Sequence, residues 1–389
     1  MRSRKTLTIT AGEVHGFARS WLDEGLALKD HGPKCTAWRI ISILLRAAAR
    51  ICSIYAACRD LADAPCDQAM RDALNATLPD IETLQKRINK TLTSALPSRV
   101  LRYPRVAAID VTLLPYYGSP ERDVSELVRS KRKAGTTRFH GYATMCIVHH
   151  GMRYTVALTR VTKGEKMDVI TKRLMRRARS IGLKIKVLLL DRGFFTVDVI
   201  AYLRRAGVPF LMPVAIRAAA PKDPKKRAAG LRGFLKKSTG WYDYAFKGKN
   251  KPKIRICVCA RYRKNKKTGK RELKRHLFAA WDYEAHPDTT REQYRKRFGI
   301  ETSYRQVHQA RIRTCTRSPK LRLLFFALAV ILRNVWVWLH FTIFADKRGE
   351  EPELRLNLLR FRRMLDWIAT VVKNELHNGS LPEIEWSPK

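Results

Sequence analysis

Apolar residues recur at helical spacing along the N-terminal part of the chain. The stretch CTAWRIISILLRAAARICSIYAAC (35–58) carries them at this spacing, and CDQAMRDALNATLPDIETLQKRINKTLTSAL (66–96) continues as amphipathic sequence. The prolines of ALPSRVLRYPR then interrupt the pattern, which indicates a boundary near residue 99. Residues 1–98 are therefore predicted to form an N-terminal helical domain.

The pattern changes after residue 105, where short apolar runs alternate with amphipathic ones. The pattern predicts a strand in RVAAIDVTLL, then a hairpin that turns at His150 and Gly151 in FHGYATMCIVHHGMRYTVALTRVTKG. It then predicts a helix in KMDVITKRLMRRARSIGL, a strand in KIKVLLLD, a helix in TVDVIAYLRRAGV and a strand in PFLMPV. Strands that are apolar throughout are typical of a sheet covered on both faces. Residues 99–215 are therefore predicted to form a mixed α/β sheet with helices on both faces.

This alternation stops at residue 216. Residues 216–286 begin with the Lys- and Pro-rich RAAAPKDPKKRAAG and continue with alternating aromatic and β-branched residues, a pattern that predicts a β-rich insertion. Helical character resumes at Thr289. We expect residues 287–345 to form the last segment of the sheet domain with a buried helix, and residues 346–389 to form a C-terminal helical region.

The apolar stretch LLFFALAVILRNVWVWLHFTIFA, residues 323–345, is long enough to cross a membrane. It is interrupted by Arg333, Asn334 and His340, and a single span with a central arginine is costly in a bilayer. We therefore predict a buried helix of a large domain and no membrane partner. A membrane-associated basic protein is the alternative.

The charge of the chain points to a polyanionic partner. Lysine and arginine number 78 against 34 aspartates and glutamates, a net charge of +44. Each phosphate that such cations neutralise releases counterions, so the charge favours binding along nucleic acid. The alternatives are a ribosome-associated protein and a protein that binds membrane surfaces. A basic helical region at residues 1–98 suits recognition of a DNA end, and a packing subdomain is its alternative reading.

The eight cysteines are irregularly spaced, and only Cys257 and Cys259 form a close pair. Within the predicted strand IRICVCARY they point to the same face, and no second pair stands at zinc-ribbon spacing. Reduced core thiols are therefore predicted. The N-terminal sequence has no signal-peptide apolar region, and we expect a cytoplasmic protein.

Two apolar strands are predicted to end in an acid, VAAID at Asp110 and VLLLD at Asp191. In an α/β sheet, groups that do chemistry sit beyond the strand ends. Each aspartate alone would be read as a helix cap or a turn residue. Two such acids in a strongly basic chain suggest a cation site instead, and a third ligand is the test of this interpretation.

The candidate third ligand lies in TTREQYRKRFGIETSYRQVHQARIRT. Tyr294, Arg297 and Glu301 are spaced by three and four residues and fall on one stripe of a helix, which Arg305 and His308 extend. An aromatic residue, two arginines, a carboxylate and a histidine make poor core material. A solvated charged face is the alternative.

Together these motifs are similar to those of the Asp-Asp-Glu transposases. An Asp at the end of the first strand, DRGF at the end of a later one, and Tyr-x2-Arg-x3-Glu on a late helix resemble the insertion-sequence-four group and its Tyr-Arg-Glu-Lys signature. The resemblance covers roughly residues 100–345, and the β-rich insertion between the second Asp and the Glu adds to it. It implies a ribonuclease-H-like fold.

The resemblance also implies roles for single residues. Asp110, Asp191 and Glu301 match the catalytic, metal-binding acids, while Tyr294 and Arg297 match the tyrosine and arginine of the signature. The signature lysine is replaced by His308, and Arg305 is the other candidate for its phosphate contact. Some members of the group form a DNA hairpin and hold a flipped base, for which the candidates are Trp241 and Trp281, with buried core tryptophans as the alternative.

The activity implied is cleavage of phosphodiester bonds at transposon ends and strand transfer into target DNA, with two Mg²⁺ ions or Mn²⁺ as a substitute. Double-stranded DNA is the expected partner, the protein is expected to act as a dimer in the DNA complex, and its location is the chromosome of a prokaryotic cell. A metal-dependent nuclease or resolvase on the same fold, and a non-catalytic transposase-derived DNA-binding protein, remain the alternatives.

Overall fold

The structure, a computed structural model, describes residues 7–118, 124–149, 152–217, 230–247, 251–265, 268–345, 354–376 and 383–386. The predicted hairpin turn at His150 and Gly151 lies outside these residues. The N-terminal part contains one short strand and six helices: β1 (Leu7–Thr10), α1 (Ala11–Leu26), α2 (Ala37–Arg50), α3 (Ile54–Arg59), α4 (Asp67–Thr77), α5 (Ile81–Ser94) and α6 (Ser98–Arg102).

Helices α1 to α5 begin where the sequence supplies a side-chain cap. Thr10 accepts a hydrogen bond from the backbone N–H of Glu13, whose carboxylate accepts one from the backbone N–H of Thr10, so a capping box starts α1. Asp80 caps α5 by accepting hydrogen bonds from the backbone N–H groups of Glu82 and Thr83. Each cap satisfies donors that the first turn of a helix leaves unpaired.

The central sheet follows. Its first part consists of β2 (Arg105–Pro115), β3 (Val128–Lys133), β4 (Thr136–His149), β5 (Met152–Val161), α7 (Met167–Ser180), β6 (Ile185–Leu190), α8 (Val197–Arg205) and β7 (Phe210–Pro213). Strand β4 pairs antiparallel with both β2 and β5, whereas β6 is parallel to β2 and β7 is parallel to β6. The sheet is therefore mixed, as the sequence pattern predicts.

The predicted β-rich insertion forms β8 (Gly240–Ala245), β9 (Lys253–Lys264) and β10 (Arg271–Trp281). Strand β10 pairs antiparallel with β7, and β9 and β8 follow in turn. These strands lengthen the central sheet to nine strands in the described part of the chain. The chain continues through α9 (Pro287–Arg295), α10 (Gly299–Val307), α11 (Pro319–Thr342), α12 (Phe361–Glu375) and β11 (Glu383–Trp386), which pairs antiparallel with β1.

Helix α11 is the core helix of the molecule. It is the one described helix long and apolar enough to cross a membrane, and 94% of its most apolar stretch is buried inside the protein. The predicted buried helix is thus confirmed, with bounds shifted by a few residues from 323–345. Helices α1, α2 and α5 share one hydrophobic cluster with α11, α12 and the inner face of the sheet. The N-terminal helices therefore extend the core of the sheet.

The two faces of the sheet bury different residues because side chains alternate along a strand. Ile109 and Leu190 belong to the large cluster shared with the helices, whereas Ala108 and Leu189 belong to a smaller cluster on the opposite face. Cys257 and Cys259 lie in that smaller cluster and are buried free thiols, as predicted. Asp110 and Asp191 each follow a large-cluster residue, so alternation directs both acids to the face of the smaller cluster.

Candidate active site

Asp110 and Asp191 meet where β2 and β6 stop pairing. The last parallel pair of these strands joins Ile109 to Leu190, and each aspartate comes directly after it. Strand β6 ends there, but β2 does not. Strand β2 runs the full length of the predicted strand RVAAIDVTLL, so only the prediction that Asp110 ends this strand is wrong. It continues to Pro115 because β4 still provides an antiparallel partner, with Pro115 opposite Phe139.

The Asp191 carboxylate does not cap the turn that follows it. Asp191 stands at the N-cap position of the 3-10 turn Arg192–Phe194, yet its side chain accepts no capping hydrogen bond. Its Oδ1 lies 3.3 Å from Nη2 of Arg297 instead. The side chain of Asp191 is therefore not a helix cap.

One guanidinium joins the two acids. Arg297 places Nη1 at 3.4 Å from Oδ2 of Asp110, in addition to its contact with Asp191. The side chain of Arg297 is 5% exposed, compared with 15% for Asp110 and 46% for Asp191. Burial acts to lower the pKa of Arg297, but Tyr294 and then the two aspartates outweigh it and raise this pKa. The guanidinium is therefore a permanent cation between the two carboxylates.

Tyr294 fixes the third side of the guanidinium. Its hydroxyl accepts a hydrogen bond of 3.0 Å from Nε of Arg297, and its ring packs against Phe278 with centroids 5.2 Å apart. Burial, opposed in part by Arg297, raises the pKa of Tyr294 to about 12. The phenol thus stays protonated and serves as a neutral acceptor for the arginine.

The predicted stripe of Tyr294, Arg297 and Glu301 does not lie on one continuous helix. Helix α9 ends at Arg295, a 3-10 turn covers Lys296–Phe298, and α10 begins at Gly299. A guanidinium N–H of the buried Arg153, on β5, donates to the carbonyl oxygen of Lys296 and so ties this turn to the sheet. Tyr294 and Arg297 still meet because their spacing of three residues spans a single turn.

Helix α10 is anchored beside Asp110 by a residue that sequence reasoning missed. The hydroxyl of Tyr304 lies 2.7 Å from Oγ1 of Thr144 and donates to the backbone carbonyl of Asp110 at 3.2 Å. Glu301 precedes Tyr304 by one turn of α10, and its side chain lies outside the described part of the structure. No spacing rule marks Tyr304 in the sequence, because its partners come from β2 and β4.

The acids open into a basic cleft of about 1200 Å³. Arg305 and His308 line it and are exposed, so both candidates for the missing lysine face the same space. Although His308 is exposed, partial desolvation in the cleft, followed by the cations Arg311 and Lys133, lowers its pKa. Six further cations line the cleft, and the sequence pattern did not single out most of them. They are Lys133, Arg192, Arg275, Arg291, Arg295 and Arg311.

Trp241 and Trp281 do not line this cleft. Trp241 donates from Nε1 to the carbonyl of Ala285 at 2.8 Å and stacks under Arg255. Trp281 lines a second cavity of about 870 Å³, with Arg204 6.0 Å above its ring. Their proposed contact with a flipped base stays a prediction.

The chemistry of the two acids fits a hard divalent cation. Mg²⁺ prefers carboxylate oxygens and retains several waters, and these carboxylates already share one cation. Within the part of the chain whose side chains are described, no three Asp, Glu, His or Cys residues converge as a metal-binding group. The predicted third ligand, Glu301, is outside that part.

Comparison with known proteins decides the family. The profile of the transposase DDE domain matches residues 102–335, which include the cleft and both aspartates. The chain belongs to the family of DDE transposases. No curated protein sequence matches it. A solved structure of a piggyBac transposase synaptic complex with hairpin DNA superposes with a TM-score of 0.53 at 12% identity, over 94% of this chain and 78% of that one.

The comparisons also settle the fold class of this DDE transposase. The likeness to the piggyBac structure confirms the mixed α/β, ribonuclease-H-like fold. The family carries nuclease and strand-transfer activity, generally with divalent metal ions. The match therefore supports a DNA transposase.

Proposed function

We propose that this chain is the transposase of an insertion sequence of the insertion-sequence-four group, which cuts phosphodiester bonds at the ends of its element and joins them to target DNA. The observation that carries the proposal is the meeting of Asp110 and Asp191 around one cation, Arg297, at the floor of a basic cleft. The DRGF sequence after β6 and the Tyr-Arg pair in this site support the group assignment.

Asp110, Asp191 and Glu301 are proposed to hold two Mg²⁺ ions, for which Mn²⁺ can substitute. When bound, such ions activate the attacking oxygen and stabilise the leaving oxygen of an in-line displacement. The chain itself orients the acids. The backbone N–H of Val111 donates to Oδ1 of Asp110 at 2.9 Å, while Oδ2 faces the cleft cation. Tyr304 holds α10, and with it the Glu301 position, against the same strand.

The cleft cations are proposed to hold the phosphates. Arg305 and His308 are exposed on the lining, and arginine can bind a phosphate through two parallel hydrogen bonds. We assign the contact of the signature lysine to Arg305 because its planar guanidinium can make two parallel hydrogen bonds to one phosphate, which an imidazole cannot do. His308 is the secondary contact. A dimer that pairs two DNA ends, acting on the chromosome in the cytoplasm of a prokaryotic cell, completes the proposal.

A plasmid assay tests this function. The protein is incubated with Mg²⁺, a supercoiled target and duplexes carrying the sequences that flank its reading frame. We expect nicked ends and joined products from the wild type, and loss of at least about a thousandfold in rate for Asp110→Asn, Asp191→Asn and Glu301→Gln, since each removes a charged metal ligand. Asp198→Asn, which removes an acid from α8 away from the cleft lining, is the matched control.

The outcomes separate the alternatives. Nicking without any joined product identifies a nuclease or resolvase instead of a transposase. DNA binding without processing identifies a DNA-binding protein. Full activity of Asp191→Asn overturns the assignment of the acids.

A further inference from the structure

Arg297 occupies the place where the two acids would hold a metal ion. Its three guanidinium nitrogens face Tyr294, Asp110 and Asp191, at 3.0, 3.4 and 3.3 Å. The group is almost fully buried, so it is not a surface ion pair that solvent exchanges freely. The resemblance matches Arg297 to the arginine of the signature, and in this structure its side chain faces the acids.

A guanidinium and a metal ion compete for these two carboxylates. Mg²⁺ binds carboxylate oxygens at about 2.0–2.1 Å, so an ion on either aspartate would lie close to the guanidinium and be repelled by its like charge. Metal binding at Asp110 and Asp191 is therefore tighter when Arg297 withdraws from at least one of them.

The displaced guanidinium needs another anion, because an unpaired buried charge is costly. The cleft that it lines is basic, and a positive potential attracts phosphates. A DNA phosphate offers oxygens that match the planar fork of arginine. Arg153 ties the backbone of the 3-10 turn Lys296–Phe298 to the sheet, so the exchange needs only a rotation of the Arg297 side chain.

We propose that Arg297 couples metal binding to DNA binding by exchanging the two catalytic aspartates for a DNA phosphate. Without DNA, Arg297 neutralises Asp110 and Asp191 and weakens their affinity for the metal ion. With DNA bound, a phosphate takes the guanidinium and frees the acids. The metal site thus reaches full affinity only on substrate, which restrains off-target cutting. This inference rests on the proposed function.

Linkage makes the exchange measurable. If DNA raises metal affinity by some factor, the metal raises DNA affinity by the same factor. Replacing Arg297 with a neutral residue removes the competitor, so metal binding without DNA becomes tighter and the coupling disappears. A residue that merely adds positive potential to the cleft would change both affinities without changing their coupling.

The experiment titrates Mn²⁺ into the full chain, with and without duplex DNA in Ca²⁺-free buffer, and follows free Mn²⁺ by electron paramagnetic resonance. We expect Arg297→Gln to bind Mn²⁺ about 5- to 150-fold more tightly than the wild type without DNA, the usual range of coupling between two sites. We expect its affinity to change little when DNA is added. Arg205→Gln, which removes an exposed cation of α8 away from the cleft lining, should keep the wild-type ratio.

Thermal unfolding provides a second readout that guards against a misfolded variant. Two bare aspartates repel each other, so Mn²⁺ should raise the Tm of Arg297→Gln by more than that of the wild type. Arg297→Lys, which keeps the charge without the planar fork of the guanidinium, should show a Tm increase between those of the other two proteins.

Equal Mn²⁺ affinities in wild type and Arg297→Gln overturn the inference alone. Unchanged Mn²⁺ binding by Asp191→Asn overturns the metal site itself and with it the proposed function.

Discussion

The residue that organises the site is a cation, although the sequence draws attention first to its acids. Asp110 and Asp191 could be predicted from their position after apolar runs, and Arg297 from its spacing to Tyr294. Their mutual contact could not be predicted, because it depends on a register between β2 and β6 and on a turn that breaks the expected helix. Tyr304 was missed for the same reason, since its partners are distant in sequence.

Tyr304 is predicted to position α10 through its hydroxyl alone. Tyr304→Phe keeps the ring but loses the bonds to Thr144 and to the carbonyl of Asp110. We expect DNA cleavage in single turnover to slow about tenfold, equivalent to ~1.4 kcal/mol, because the helix that bears Glu301 is no longer fixed to β2. DNA affinity should stay unchanged.

Tyr262→Phe is the control for this substitution, since Tyr262 is 64% exposed on β9. It should cleave at the wild-type rate. A Tyr304→Phe protein that cleaves as fast as the wild type would show that the hydroxyl has no positioning role.

At the scale of elements, the free edge of β5 is closed by carboxamide side chains instead of another strand. Asn334 on α11 accepts from the backbone N–H of Thr155 and donates to its carbonyl, at 2.9 and 2.7 Å. Asn89 on α5 does the same for Leu158, both at 2.8 Å. An open edge would leave backbone groups unpaired and available to other chains.

Some of the elements around this edge could be predicted from the sequence, whereas their packing against each other could not. The strands themselves follow from their apolar runs, and α11 from its length and apolar composition. The docking of α5 onto β5 does not follow from any periodicity, because Asn89 looks like an ordinary polar position of an amphipathic helix. The insertion was likewise predicted as β-rich, but its continuation of the sheet depends on the pairing of β10 with β7.

Asn334→Ala is expected to destabilise the fold by about 3 kcal/mol. The substitution leaves the N–H and the carbonyl of Thr155 buried without partners, and each unsatisfied group costs about 1–3 kcal/mol. Urea unfolding measures the loss. The matched control is Asn75→Ala on α4, where the asparagine is exposed. A loss below about 1 kcal/mol in the Asn334 variant would mean that water or another group replaces the carboxamide.

At the scale of the whole molecule, the basic surface coexists with a core that holds histidines in their neutral form. Burial lowers the pKa of His15, His140 and His340 to about 4 each. The contacts of His340 fit the neutral ring that burial favours. Its Nδ1 accepts from the backbone N–H of Arg355 at 3.1 Å, and Nε2 faces the carbonyl of Leu359 at 3.0 Å. Protonation would turn the acceptor into a donor and break the first bond.

The stability of the protein should therefore fall in acid. A histidine whose folded pKa lies below its unfolded value of 6.5 contributes stability that is complete above pH 6.5 and is lost as the pH falls towards 4. We expect each of the three buried histidines to lower the free energy of unfolding by about 2 kcal/mol between pH 7 and pH 5. Urea unfolding at these two pH values tests this.

A variant assigns the effect to one residue. His340→Gln should be less stable at pH 7 but should lose less free energy of unfolding on acidification than the wild type. His31→Gln, at an exposed position, should retain the wild-type pH dependence. If His340→Gln loses as much stability as the wild type between pH 7 and pH 5, His340 is not a source of the acid sensitivity.

The central claim is that Asp110 and Asp191 hold the divalent metal ions of DNA strand cleavage. The most direct test is an anomalous difference map from crystals of the protein bound to duplex DNA and soaked in Mn²⁺. We predict a peak within bonding distance of both carboxylates, with the guanidinium of Arg297 turned towards a phosphate. A map with Mn²⁺ bound elsewhere, and Arg297 still between the two aspartates, would contradict the account.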